Sequence, residues 1–361
     1  MIPLRLLVDP LPIDEPLITR LTRDGGGDSP FDALYRGSDG DMLEYDLCGF
    51  PLRLQALSAE ELDGDVLLIL PGQRSAHRLI RARSPHNTFL VTERCDQLCV
   101  MCSQPPKKHH ADLFPSFRQA ALLAPHGIYI GLSGGEPMLF KQEVFRFLEE
   151  TLAARPDLRF HILTNGQHFE PEDEEVLRRI PKDRVLWGIP LYSADPVLHD
   201  TTVAKAGAYA RLMKSFSILA RAGAAVELRT VVMKTNADDL GKLARLVATR
   251  LPFISVWALM QLESIGYGRM NWDALFLDTS IVFDAVAEAL DTVHARGIDA
   301  QLYNFPACTV PQGYRRHAPA TISDWKRRYL QACEGCAIRD ACTGFFEWYP
   351  DNRGFGRISP Q

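Results

Sequence analysis

The chain has 361 residues, 46% hydrophobic and 24% charged, enough apolar material to bury a core in two or three compact units. Its 40 Lys and Arg against 45 Asp and Glu leave a net charge of −5. That excludes the basic footprint of a nucleic-acid binder and the polybasic patch of a membrane-surface protein. The opening stretch, MIPLRLLVDPLPIDEP, is interrupted by Pro10, Pro12 and Pro16, so neither a signal peptide nor an anchor is expected, and no apolar run approaches spanning length. A cytoplasmic protein is the expectation, and there eight cysteines read as metal ligands before disulfides. Seven fall in two groups. Cys48 stands alone and is expected to be a small buried hydrophobe.

Residues 1–85 read as a small mixed domain dominated by strands, with turns at Gly25 to Gly27 and Gly37 to Gly40 and a short buried strand at DVLLIL, residues 65–70. From residue 86 to 297 the pattern is strand, loop, helix, repeated. NTFLVT (87–92) is the first strand and HGIYIGLSGGEP (126–137) the second, followed by a helix from Lys141 to Ala154 with Val144, Leu148 and Leu152 on one face. RFHILTNG (159–166), RVLWGIPLYS (184–193), AVELRTVVM (225–233) and FISVWALMQLE (253–263) are the next four. Helices are expected near 207–221, 238–250 and 278–296. Six βα units in one direction predict a parallel sheet covered by helices, and the motifs at successive strand ends favour an α/β partial (β/α)6 barrel over an open doubly wound sheet. Residues 298–361 form a carboxyl-terminal extension.

CDQLCVMC places Cys95, Cys99 and Cys102 just beyond the first strand. A closed structural metal site usually takes four ligands, so three thiolates leave an open position. Soft sulfur ligands suit zinc or an iron–sulfur cluster. A zinc knuckle completed from elsewhere is the competing reading, while His86, His109, His110 and His126 read as surface or core histidines. LSGGEP (132–137) follows the second strand. By itself it is a turn, but Gly134 and Gly135 let backbone approach a ligand and Glu136 offers a carboxylate to an ammonium. Asn165 and Gly166 follow the third strand and are also simply a good turn. Ser193 ends the fourth strand and Arg229 lies in the fifth, where it is either a binder of carboxylate or a structural ion-pair partner. The second cysteine group is Cys308 with Cys333, Cys336 and Cys342 in CEGCAIRDAC, enough for one zinc ribbon or one cluster.

The cysteine spacing of residues 95–102, together with GGEP one βα unit later, resembles the radical S-adenosylmethionine superfamily. That resemblance implies a [4Fe–4S] cluster on Cys95, Cys99 and Cys102, whose open iron binds S-adenosylmethionine. It further implies cofactor contacts from Gly134, Gly135 and Glu136, with Ser193, Arg229 and Asn165 at related positions. Met101 stands where the family often has an aromatic near the adenine, and can still make a soft apolar contact. The carboxyl-terminal spacing resembles the auxiliary-cluster extensions of peptide-modifying members, cut short where Phe346 replaces a further cysteine. With Cys308 it implies one auxiliary [4Fe–4S] cluster. From SPHNTFLVTERCDQLCVMCSQPPK through GLSGGEP to CEGCAIRDACTGFFEWYP, the chain resembles the HxsC-type maturases of the His-Xaa-Ser peptide system. This implies a 5′-deoxyadenosyl radical acting on a ribosomal precursor peptide, beside a second radical S-adenosylmethionine maturase. The alternatives are a non-catalytic cluster protein that binds peptide or relays electrons, and radical chemistry on a small molecule. GGEP and Arg229 argue against a relay, which needs no amino-acid-binding loop.

Overall fold

The protein's structure, a computed structural model, describes residues 4–23 and 29–361. The turn expected at Gly25 to Gly27 lies outside the described residues, as do Met1 to Pro3. The chain divides into two compact units. One comprises Met1–Val91, Ala111–Ser133 and Phe140–His161, and the other Thr92–His110, Gly134–Leu139 and Ile162–Gln361.

In the first unit seven strands form one sheet: β1 (Arg5–Leu7), β2 (Leu17–Thr22), β3 (Asp32–Asp39), β4 (Met42–Leu47), β5 (Phe50–Gln55), β6 (Val66–Ile69) and β7 (Ser75–Ile80), in the order β1-β7-β6-β2-β3-β4-β5. An isolated bridge between Val8 and Leu54 brings the two edges together, and Leu6, Leu21, Leu52, Leu54, Leu67 and Ile69 fill the interior. The strand-rich amino-terminal region is as expected. Cys48 is not: it is exposed, at the tip of the β4–β5 hairpin, with its thiol on the Pro30 carbonyl at 3.3 Å. Cys48 has φ +51° and Gly49 φ +89°, and a two-residue hairpin loop of this kind demands two left-handed residues. Turn geometry, not hydrophobicity, decides where this thiol sits.

A second seven-stranded sheet contains β8 (Asn87–Thr92), β9 (Tyr129–Gly134), β10 (Arg159–Leu163), β11 (Val185–Pro190), β12 (Ala225–Val232), β13 (Val256–Gln261) and β14 (Ala300–Tyr303), in strict sequence order. The pairings β11–β12, β12–β13 and β13–β14 are parallel. The seventh strand was not expected. It is four residues long, and its alternation, buried at Ala300 and Leu302, is too short to stand out in the sequence. Intervening helices include α1 (Phe114–Leu123), α2 (Lys141–Ala154), α3 (Pro196–Val203), α4 (Ala208–Ala222), α5 (Leu240–Arg250), α6 (Gly266–Met270), α7 (Trp272–Leu275) and α8 (Asp284–His294). α4 shows why they form: Leu212, Phe216 and Leu219 recur on one buried face, and Gly223, left-handed at φ +71°, ends it by donating to the Ala220 and Leu219 carbonyls. Among the described residues no helix is long and apolar enough to cross a membrane.

β12 sets the polarity of the sheet. Val226, Leu228 and Val232 are fully buried on one face, and Glu227, Arg229 and Val231 alternate onto the other. Arg229 pairs in register with Pro190 and with Ala258, which pairs with Gln301, and Val231 pairs with Met260, which pairs with Tyr303. On this face β12 presents Glu227 and Arg229, with Gln301 and Tyr303 at register positions on β14, and the loops beyond the strand ends are the usual place for chemistry in parallel sheets.

Candidate active site

The three-cysteine loop is held from several sides by backbone. Leu98 and Val100 donate their amides to the Val203 and Thr202 carbonyls at the end of α3, at 3.2 and 2.9 Å. On another side Tyr267 donates to the Cys102 carbonyl at 2.8 Å and Asn271 Nδ2 to the Val100 carbonyl at 2.8 Å. Gly266, at φ +56°, has no room for a side chain: a Cβ would stand 2.5 Å from the Cys102 carbonyl oxygen. Cys95, Cys99 and Cys102 are free thiols, each partly buried. Burial and then the neighbouring thiols push Cys99 up to about 12, and burial first pushes Cys95 up to about 11. Buried thiolates this close need a cation to form.

GGEP is pressed against the chain leading into that loop. Gly135 donates to the Thr92 carbonyl and Glu136 to the Arg94 carbonyl, both at 2.7 Å. Gly134 adopts φ +135°, a conformation glycine takes readily, and a Cβ on Gly135 would lie 2.1 Å from the Arg94 oxygen. Glu136 is 0% exposed. Its Oε1 accepts from the Met138 amide at 2.8 Å and the Thr164 hydroxyl at 2.6 Å, and its Oε2 from the Asn165 amide at 2.5 Å. Burial raises this carboxyl to about 7 against the pull of those three donors. In this structure Glu136 ties the turn after β9 to the end of β10, and the sequence carries no sign of it because Thr164 and Asn165 are almost thirty positions away.

Asn165 adds a link of its own, donating from Nδ2 to Asp96 at 2.7 Å. Asp96 also pairs with Lys205 and with His168 at 3.3 Å. Burial opposes ionisation of Asp96, but hydrogen bonds from His168, Lys205 and Asn165 outweigh it and hold the carboxyl well below its usual range. Neither Asp96 nor Lys205 was singled out by the sequence, although Asp96 lies directly after Cys95. Ser193 is fully buried, donating to the Asp239 carboxylate and accepting from the Asp195 amide at 2.8 Å. Arg229, partly exposed, pairs with Glu227, whose other oxygen meets the Tyr303 hydroxyl at 3.3 Å. Met101 is 6% exposed and belongs to an apolar cluster with Tyr192, Val203, Met233, Leu262 and Trp272.

The second cysteine group converges. Cys308, Cys333, Cys336 and Cys342 line one pocket, together with Tyr329, Ile338, Arg339 and residues 358–361. Cys308 sits in the one-turn helix Ala307–Thr309, four residues past β14, where Asn304 turns the chain at φ +66°. The sulfurs are met by backbone amides: Ala307 and Gly344 donate to Cys342 Sγ and Gln361 donates to Cys336 Sγ, each at 3.4 Å. Among the described residues no three His, Cys, Asp or Glu side chains close in as they would on a single ion. A four-iron cluster asks less, since each thiolate binds a different iron and amides donating to sulfur are its common company. The donor sets fit such clusters: three free thiols in one loop, four around one pocket.

Residues 89–247 match the family described as the Radical SAM superfamily. Among curated proteins it is similar to the PqqA peptide cyclase of Methylocella silvestris, 27% identical over 251 residues covering 66% of this chain and 63% of the relative. It is also similar to the antilisterial bacteriocin subtilosin biosynthesis protein AlbA of Bacillus subtilis, 24% identical over 168 residues, 45% of this chain and 36% of the relative. Each match thus spans less than two thirds of the relative's length. Among solved structures, the fold is similar to that of Streptococcus suis SuiB bound to S-adenosylmethionine, with TM-score 0.50 and 14% identity over 62% of this chain and 51% of that one.

The Glu136 geometry makes a direct prediction. Glu136→Gln replaces an acceptor with an amide donor, so the Met138 or the Asn165 amide loses its partner, at a cost of about 1–3 kcal/mol. The raised carboxyl of the wild type favours folding at low pH, and that contribution fades as pH rises from about 4.5 through about 7. Chemical denaturation between pH 5 and 8 should show a flatter slope for the variant, its deficit largest at pH 5 and shrinking as pH rises. Equal midpoints and equal slopes would mean the three bonds do not matter.

Proposed function

We propose that this protein is a radical S-adenosylmethionine enzyme that modifies a ribosomally made precursor peptide, of the His-Xaa-Ser type. The observation that carries the reading is the seating of Gly135 and Glu136 on Thr92 and Arg94, which presses an amino-acid-binding turn against the entry to the three-cysteine loop. The names of its relatives, a peptide cyclase and a bacteriocin biosynthesis protein, support a peptide substrate. Cys95, Cys99 and Cys102 would hold a [4Fe–4S] cluster, and that cluster would supply the electron for reductive cleavage of S-adenosylmethionine and so the radical chemistry on the peptide. The chain's own work is to bind and orient. The Gly134–Gly135 backbone would face the methionine end of the cofactor, Glu136 and Asn165 fix that turn, and Ser193 hydrogen-bonds Asp239. Arg229 keeps guanidinium donors for a carboxylate or ribose, and Met101, within the loop, packs into the apolar cluster with Val203 and Trp272. Cys308, Cys333, Cys336 and Cys342 would hold an auxiliary [4Fe–4S] cluster, with residues 86–297 as the radical domain and 298–361 as the extension. A second maturase acts as partner.

The test is mass spectrometry of a precursor peptide co-expressed with the protein. A mass change is expected with the wild type and none with Cys95, Cys99 and Cys102 all changed to Ala, a variant that should also produce no 5′-deoxyadenosine and hold about half the wild-type iron. An unmodified peptide in every arm, alongside an iron-loaded protein that transfers electrons, would favour the relay reading instead.

A further inference from the structure

Glu263 stands two residues beyond β13, the sixth strand of the second sheet. Its backbone is wedged against the three-cysteine loop. A Cβ on Gly268 would lie 2.5 Å from the Glu263 oxygen and 3.3 Å from that of Met101, and Leu262 packs in the apolar cluster with Met101. The side chain turns to the extension, where Lys326 Nζ lies 3.5 Å from Oε1. That oxygen is buried without a hydrogen-bond partner among the described residues, the lysine being held off at ion-pair distance. Burial lifts the carboxyl above its usual range, with Lys326 pulling the other way. The same ammonium lies 5.0 Å from the ring centre of Trp325 and 5.7 Å from that of Trp348. Trp348 is fixed in place: Glu347 donates its amide to the Lys326 carbonyl at 2.6 Å, and Phe346 stacks on the indole with centroids 6.0 Å apart. The Trp348 Nε1 is buried, and it too has no hydrogen-bond partner among the described residues. Trp325 remains 37% exposed and the Lys326 side chain 30%, so the place can be reached from solvent.

Buried polar groups are almost always paired, so an unmet acceptor and an unmet donor beside one ammonium mark room for a guest. Its chemistry follows from theirs. Glu263 and Lys326 cancel in charge, which disfavours a guest that brings a net charge of its own. The guest must donate to a carboxylate oxygen and accept from an indole N–H, and the tryptophan rings favour a flat one. A neutral imidazole does all three, for it carries an N–H and a bare nitrogen on one aromatic ring. A side-chain amide has the polar pair but no aromatic face to lay on an indole. We propose that Glu263, Lys326, Trp325 and Trp348 form a subsite that takes an uncharged histidine side chain of the substrate peptide. Its part in the reaction rests on the peptide-modifying reading given above. Held between the end of the sixth strand and the extension, next to Met101, the histidine sets which stretch of peptide faces the three-cysteine loop.

The test uses the full chain, purified anaerobically and isotopically labelled at its five tryptophans. The probe is N-acetylhistidine amide, followed by NMR at the indole N–H resonances. The Trp348 resonance, identified by its loss in Trp348→Phe, should shift in a saturable way. The matching asparagine and alanine amides should bind more weakly by about fivefold or more. Glu263→Gln keeps the shape and weakens the acceptor, and should lower affinity for the histidine probe by about fivefold with iron content unchanged. The wild-type titration decides the matter if the variant misfolds. No shift of Trp348 up to about 10 mM probe, or an equal shift with asparagine or alanine, overturns the proposal. The underlying reading fails separately. Protein that binds the probe yet neither cleaves S-adenosylmethionine nor modifies peptide refutes that reading and keeps the subsite, whereas protein that does both without binding the probe refutes the subsite alone.

Discussion

On the proposed reading, Gly135→Ala should strip the cluster of Cys95, Cys99 and Cys102 from the protein while leaving that of Cys308, Cys333, Cys336 and Cys342. A Cβ at this position would stand 2.1 Å from the Arg94 oxygen and 2.5 Å from its carbonyl carbon. Those are backbone atoms, so no side chain can swing away to relieve the clash. Either GGEP lifts off, losing the Gly135–Thr92 and Glu136–Arg94 hydrogen bonds, or residues 92–94 move and carry Cys95 with them. Overpacking of this kind costs about 1–3 kcal/mol where neighbours can adjust, and here they cannot adjust without disturbing the metal loop. We expect iron to fall from about eight to about four per chain and 5′-deoxyadenosine production to fall at least a hundredfold. Gly313→Ala is the control: nothing lies within 4 Å of its Cβ, and iron content and turnover should match the wild type. Full iron and normal turnover in Gly135→Ala would show that the turn has slack the geometry does not reveal.

Much of this site could be read from the residues themselves, and what could not has a physical explanation. The cysteine spacing and the strand-end motifs are local features, written within eight residues at most. β8 runs over Asn87–Thr92 and α2 over Lys141–Ala154, the ranges expected, because apolar periodicity is local too. The bonds that shape the site are not local. Glu136 finds Thr164 and Asn165, Asp96 finds Lys205, and Ser193 finds Asp239, pairs separated by 28 to 109 positions. No spacing rule connects them; they meet because parallel strands bring their carboxyl ends side by side. Ser193 is sealed against Asp239, so what it does is hold that carboxylate.

Changing Cys333, Cys336 and Cys342 together to Ala should separate cofactor cleavage from peptide modification. All three line the pocket that Cys308 enters from just beyond β14. The backbone bonds that hold the first cysteine loop come from Thr202, Val203, Tyr267 and the chain around Thr92, none of them in residues 298–361. The first cluster should therefore form, with iron falling to about four per chain and a slow, peptide-independent release of 5′-deoxyadenosine remaining. The extension should fare worse. With three thiols gone, position 342 no longer receives the Ala307 and Gly344 amides nor position 336 the Gln361 amide, which leaves backbone bonds such as Ala337 to the Gln361 carbonyl at 2.9 Å and the Tyr329 hydroxyl near the Arg339 and Cys342 carbonyls at 3.0 and 3.2 Å. A substrate pocket ordered by this extension, or a substrate radical that must pass its electron to the second cluster, would fail in either case, so peptide modification should drop below detection. Both assays belong on one anaerobic preparation, because global unfolding would silence the first as well. Modification at the wild-type rate, with the second cluster absent, would make residues 298–361 a structural cap with no part in the reaction.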